Sequence, residues 1–164
     1  MTKRAPTFSA SQFTPTQWSS ATDKARFANQ IVRFVQSDFD PNLFTKATYE
    51  RLSMCFGHIA HYDRGGFYAT WFASTEDRAK WLYYVSKGGA LGACGDPSYT
   101  FSDVEQALSK WVQHSGLAES YGQQVSNDTE IKERALLAAL KAKYEPSRLS
   151  TCDSRVEAAA NSAL

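Results

Sequence analysis

Little in this chain is present in excess. Its 18 basic and 17 acidic residues leave a formal net charge of +1, so no strong field draws it toward nucleic acid or an anionic membrane surface. Dense runs of Lys and Arg are missing as well, and Lys3-Arg4 is the one adjacent basic pair. No apolar stretch approaches the roughly 20 residues that span a bilayer, and the first residues lack the apolar run of a secretory signal. Cysteine is scarce: Cys55, Cys94 and Cys152 are odd in number and widely spaced, which argues against a disulfide framework and suits a reducing compartment. Only 3 histidines are present, which limits proton-shuttle chemistry. These absences together lead to the expectation of a cytoplasmic protein that does not enter a membrane.

What is abundant is aromatic: 4 Trp, 8 Tyr and 10 Phe in 164 residues. Rings in this number build a core or supply contact surface for a partner. The length predicts one domain with a sizeable core. We expect a flexible N-terminal arm over residues 1–20, a globular domain over 21–146 and a loose tail over 147–164.

The expected fold is α+β, mostly helical, with about five helices and one small antiparallel hairpin. Phe27, Ile31, Phe34 and Val35 recur at helical spacing within 22–38. A second helix is expected over 45–56. Ser74-Thr-Glu-Asp77 supplies a cap and first-turn acids for a helix through Lys87, and Trp81 to Val85 make it apolar nearly all round. Ser102-Asp-Val-Glu105 reads as a capping box for a helix ending near Gly116. Asn127 or Asp128 is expected to cap the last helix, which Pro146 stops. Between the second and third helices, His58–Tyr62 and Phe67–Phe72 flank Asp63-Arg64-Gly65-Gly66. Two β-prone runs around such a turn predict a hairpin at 58–72; two helices joined at the glycines are the alternative.

Candidate chemistry concentrates on the same stretch. Cys55, His58 and His61, with Asp63 nearby, offer possible metal donors on a helix, but the spacing lacks the paired patterns of zinc sites, and no metal is assigned. His61, Asp63 and Arg64 bring together an imidazole, a carboxylate and a guanidinium, the parts of a small acid–base site; Cys94 is an outside nucleophile candidate. Gly89, Gly92 and Gly95 follow a helix and meet Asp96-Pro97 without a Lys-Ser/Thr ending, so they read as a connector rather than a phosphate loop, and no cofactor is assigned. Arg64, Tyr62, Tyr68 and Trp71 could stack and pair with single-stranded nucleic acid, a reading the balanced charge disfavours.

The run Tyr62-Asp-Arg-Gly-Gly-Phe-Tyr68 resembles the Asn-Gly-Gly-Phe-Tyr turn of plasmid antirestriction proteins. The similarity covers about ten residues and does not extend to that family's proline after the second strand or its aromatic-rich first strand. It implies a small intracellular inhibitor or accessory factor of a mobile element rather than a metabolic enzyme. The leading expectation is therefore a non-enzymatic binding protein acting through protein–protein contacts, with His61, Tyr62, Asp63, Arg64, Tyr68 and Trp71 as the candidate binding residues. The runner-up is a small enzyme at His61, Asp63 and Arg64, and a single-stranded nucleic-acid binder comes third.

Overall fold

Asp63 decides the local structure of the stretch on which the sequence reading turned. Its side chain accepts the Gly66 amide hydrogen at 2.6 Å and its carbonyl accepts that of Phe67 at 3.1 Å. That is an N-cap, and the helix it opens is Arg64–Trp71. The computed structural model describes residues 5–55, 63–88 and 95–145, and the described residues form helices and connecting turns with no strand. The hairpin at 58–72 is thus overturned in its second half, where α-helix replaces the strand expected at 67–72; its first half, 58–62, lies outside the described residues. The α+β class gives way to an all-helical one. Asp before glycines is both a turn former and a helix cap, and burial selects between the two. Helical placement takes Phe67 and Phe72 to 0% exposure and leaves Ala69 and Thr70 outside. Two glycines in the first turn oppose the helix by about 1 kcal/mol each relative to Ala, which burial of two Phe rings outweighs at about 2–3 kcal/mol apiece.

The helices are α1 (Ala21–Gln36), α2 (Lys46–Cys55), α3 (Arg64–Trp71), α4 (Thr75–Lys87), α5 (Ser102–Ser115) and α6 (Leu117–Tyr144), with short 3-10 turns at Ala10–Gln12 and Pro41–Leu43. Their starts follow from caps. Ser20 accepts the Asp23 amide hydrogen in α1, and Ser74 accepts that of Asp77 in α4. Gly88 and Gly116 close α4 and α5 in the left-handed region, at φ 60° and 73°, where glycine carries no Cβ penalty. Two boundaries differ from expectation. Phe101, not Ser102, is the N-cap of α5, and Glu105 is buried instead of reaching back to a cap. Asn127 and Asp128 lie inside α6, which starts eleven residues earlier than the cap at Asn127 implied, because Gly116 ends α5 and the next residue already begins a helix.

The chain divides into two units, Met1–Val125 and Ser126–Leu164. In the first, α4 packs on α5 and α3, and α1 packs on α5, α2 and the turn at Ala10–Gln12. At the centre is a cluster of rings. Phe34 lies 5.0 Å from Phe72 and 5.2 Å from Phe39, and Phe39 lies 5.3 Å from Phe72 and 5.8 Å from Trp81. Such edge-to-face and offset pairs add about 0.5–1.5 kcal/mol each beyond burial. Phe13 is buried, and the Phe8 backbone exchanges two hydrogen bonds with the Asn29 side chain at 2.8 and 2.9 Å. Lys24 of α1 is fully buried. Its Nζ donates to the Pro97 and Thr100 carbonyls at 2.7 and 2.8 Å and to Asp103 at 2.9 Å. All three ammonium hydrogens thus have acceptors, the condition for burying a lysine.

A bend of unusual backbone follows α1. Asp38 and Phe39 both take positive φ, 57° and 58°, a conformation that helix ends normally give to Gly or Asn. Phe39 stays there because its ring is fully buried in the cluster and Tyr68 Oη donates to its carbonyl at 2.7 Å. Asp38 is gripped by Arg78 at 3.0 Å and by the Tyr121 hydroxyl.

In the second unit, the described part of α6 carries no buried residue: every position from Ser126 to Tyr144 is exposed. An ion pair joins Glu130 to Arg134 along it.

Candidate functional site

The α3 helix rearranges the candidate residues. On a strand, Tyr68 and Trp71 would point to opposite faces. On a helix, Arg64, Tyr68 and Trp71 are spaced four and three apart and share one stripe. Asp63 stands at the head of that helix as its cap, so its carboxylate is engaged by the Gly66 amide. Arg64 is exposed and approaches the Phe44 carbonyl at 3.5 Å. Tyr68 is half-buried, its ring 5.7 Å from Phe44 and 5.8 Å from Phe72. Trp71, also half-buried, meets Tyr84 edge-on at 6.2 Å. His61 and Tyr62, the other two candidates, lie outside the described residues, as do His58 and Cys94. Among the described residues, no group of three His, Cys, Asp or Glu is placed to hold a metal ion.

The Trp71–Tyr84 contact leads to a feature the sequence reading passed over. Helix α4 is not apolar all round. Trp81, Leu82 and Val85 are buried, while Tyr83 and Tyr84 are 56% and 46% exposed. The signal was available, because Glu76, Lys80, Tyr83, Tyr84 and Lys87 recur at helical spacing and mark a polar face that contains two tyrosines. Beside them runs an open groove of about 570 Å³. Ala79, Tyr83 and Tyr84 of α4 line it, together with Ala118, Gly122 and Val125 from the start of α6. Gly122 leaves its floor open, since a Cβ added there would meet nothing within 4 Å.

The charges along the groove are balanced. Glu76 and Lys80 pair at 2.8 Å, and Lys87 sits 5.1 Å above the Tyr83 ring. Hydrogen bonding to Glu76, reinforced by its charge, raises the Lys80 pKa above its ordinary value, so Lys80 is charged at neutral pH. The surface is therefore aromatic and flanked by both signs of charge. Such a surface can bury apolar side chains of another molecule and orient them with ion pairs.

No family model, no curated protein and no solved structure matches this chain. Among the described residues no helix is long and apolar enough to cross a membrane.

Proposed function

We propose that this chain is a non-enzymatic binding protein, an inhibitor or accessory factor, that docks an amphipathic helix of a protein partner in the groove between α4 and the start of α6. The observation that carries the reading is the Trp71–Tyr84 contact at 6.2 Å. It makes the Arg64-Tyr68-Trp71 stripe continuous with Tyr84 and the groove beside it. Tyr, Trp and Arg are the side chains that most often anchor protein interfaces, and two adjacent helices with small residues between them suit a helix laid in a groove. The balanced charge favours a protein over a polyanion. The groove supports this reading independently of the resemblance at 62–68, whose Gly-Gly-Phe-Tyr residues occupy a helix here.

Affinity capture from host-cell lysate tests it, run in parallel with wild type, Arg64→Glu and Tyr84→Glu. A stoichiometric protein retained by wild type and lost by both variants, each keeping the wild-type melting midpoint, is the expected result. A partner held equally by all three would overturn the assignment, as would a folded wild type that retains nothing.

A further inference from the structure

The N-terminal arm builds a second concave surface, which shares no lining residue with the groove on α4. It lies between the arm and one face of α5, where Asp103, Ala107, Lys110, Trp111 and His114 recur at helical spacing. The space is about 490 Å³, within the range that holds a small organic ligand. Its arm wall is fixed in place. Phe13 is buried, with its ring 6.0 Å from that of Phe8. The Asn29 side chain brackets the Phe8 backbone, and the Thr14 amide donates to Asp103 Oδ2 at 2.9 Å. Gln12 Oε1 accepts the Ser9 amide hydrogen at 2.8 Å, which leaves the Gln12 Nε2 hydrogens to donate elsewhere. Across from this wall stands the half-buried Trp111.

The charge of this pocket is one-sided once existing partners are counted. Among the described residues that line it, Asp103 is the one acid. Its carboxylate already accepts from the Lys24 ammonium at 2.9 Å and from the Thr14 and Val104 amides, each at 2.9 Å. Lys110 is exposed and joins no ion pair among the described residues. His114 adds no negative charge, and its Nδ1–H donates to the Lys110 carbonyl at 2.6 Å, which fixes the ring at the rim. We infer that this pocket binds a small aromatic carboxylate. The ligand ring lies against Phe8 and Trp111, where ring-to-ring contact is favourable. Its carboxylate pairs with the Lys110 ammonium and accepts from Gln12 Nε2, and a hydrogen bond to a charged donor is the stronger kind. A cationic ligand would meet Lys110 with no unspent carboxylate to offset it, and a single ammonium suits one carboxylate better than a polyphosphate.

The test is a titration of the full, isotope-labelled chain with naphthoate, followed through its amide and indole chemical shifts. Saturable shifts centred on Phe8, Gln12 and Trp111 are expected, with Tyr83 and Tyr84 unmoved and a dissociation constant of about 1 mM or tighter. Two ligands of the same shape read the charge: neutral naphthalenemethanol and cationic naphthylmethylammonium should each bind at least about tenfold more weakly. Lys110→Met should weaken naphthoate by a similar factor and leave naphthalenemethanol unchanged, a difference that a merely misfolded variant would not show. Absence of saturable shifts with naphthoate would overturn the inference. So would equal binding of the three ligands, a preference for the ammonium, naphthoate binding indifferent to Lys110→Met, or shifts centred on Tyr83 and Tyr84. None of these outcomes bears on the groove at α4 as a protein site, since the two surfaces have no residue in common.

Discussion

Glu105 is the residue whose environment is least suited to its charge. It is 2% exposed, and its Oε1 makes no hydrogen bond among the described residues. Burial pushes its pKa up from 4.5 to about 7, because desolvation disfavours the ionised form. The sign of the pH effect follows. Between about pH 4.5 and 7 the native state binds more protons at this carboxyl than the unfolded chain does, so stability falls as pH rises through that window and is flat above it. The displacement corresponds to roughly 3 kcal/mol as an upper value. In Glu105→Gln that dependence should vanish, and the variant should be more stable than wild type at pH 8 but not at pH 4. Urea midpoints of both proteins at the two pH values check this, and parallel profiles would refute it. Lys24 makes the contrast: equally buried, it has an acceptor for each hydrogen. The sequence reading gave Glu105 a capping role at the surface, since the 3.6-residue period reports the average side chain and not the one that is carried inside.

Where a cap stood before an unambiguous apolar period, the helices were legible. Ser74 caps α4, which runs through Lys87 as read, and Gly116 closes α5 as read. Legibility failed at α3 because Asp63-Arg64-Gly65-Gly66 carries signals for both turn and helix, and only tertiary burial of Phe67 and Phe72 separates them. The candidate residues Arg64, Tyr68 and Trp71 were legible as types but not as an arrangement, since a strand would have divided them. The groove was illegible in its far wall: nothing in the sequence says that Gly122 lies opposite Tyr83. That glycine makes a prediction at the level of its helix. A Cβ there meets no atom within 4 Å, so Gly122→Ala should stabilise α6 by about 1 kcal/mol, and the methyl group should also intrude on the groove floor. Thermal midpoint and partner affinity should therefore move in opposite directions. A variant that gains stability and binds unchanged would mean that the partner does not reach the floor.

For the molecule as a whole, no break in the sequence pattern foretells that the last helix contains two kinds of surface. Its first turns bury Tyr121 within the core of the first unit, and from Ser126 onward it is exposed; one helical period runs through both and marks no boundary. The bend at Asp38 and Phe39 has a further consequence, which concerns time. Its left-handed backbone is locally unfavourable by about 1–2 kcal/mol for a bulky residue, and the contacts that hold it come from far along the chain. Tyr68 is 29 residues from Phe39, and Tyr121 is 83 residues from Asp38. Loops of that size close late, because their entropy must be met before any contact forms. The bend is therefore a latch set at the end of folding. Tyr121→Phe keeps the ring and removes the hydroxyl that reaches Asp38. It should speed unfolding about tenfold while leaving the refolding rate nearly unchanged, as expected for an interaction absent from the transition state. A chevron in which the folding arm moves instead would place this bend among the first structures to form, with the rest of the ring cluster assembling around it.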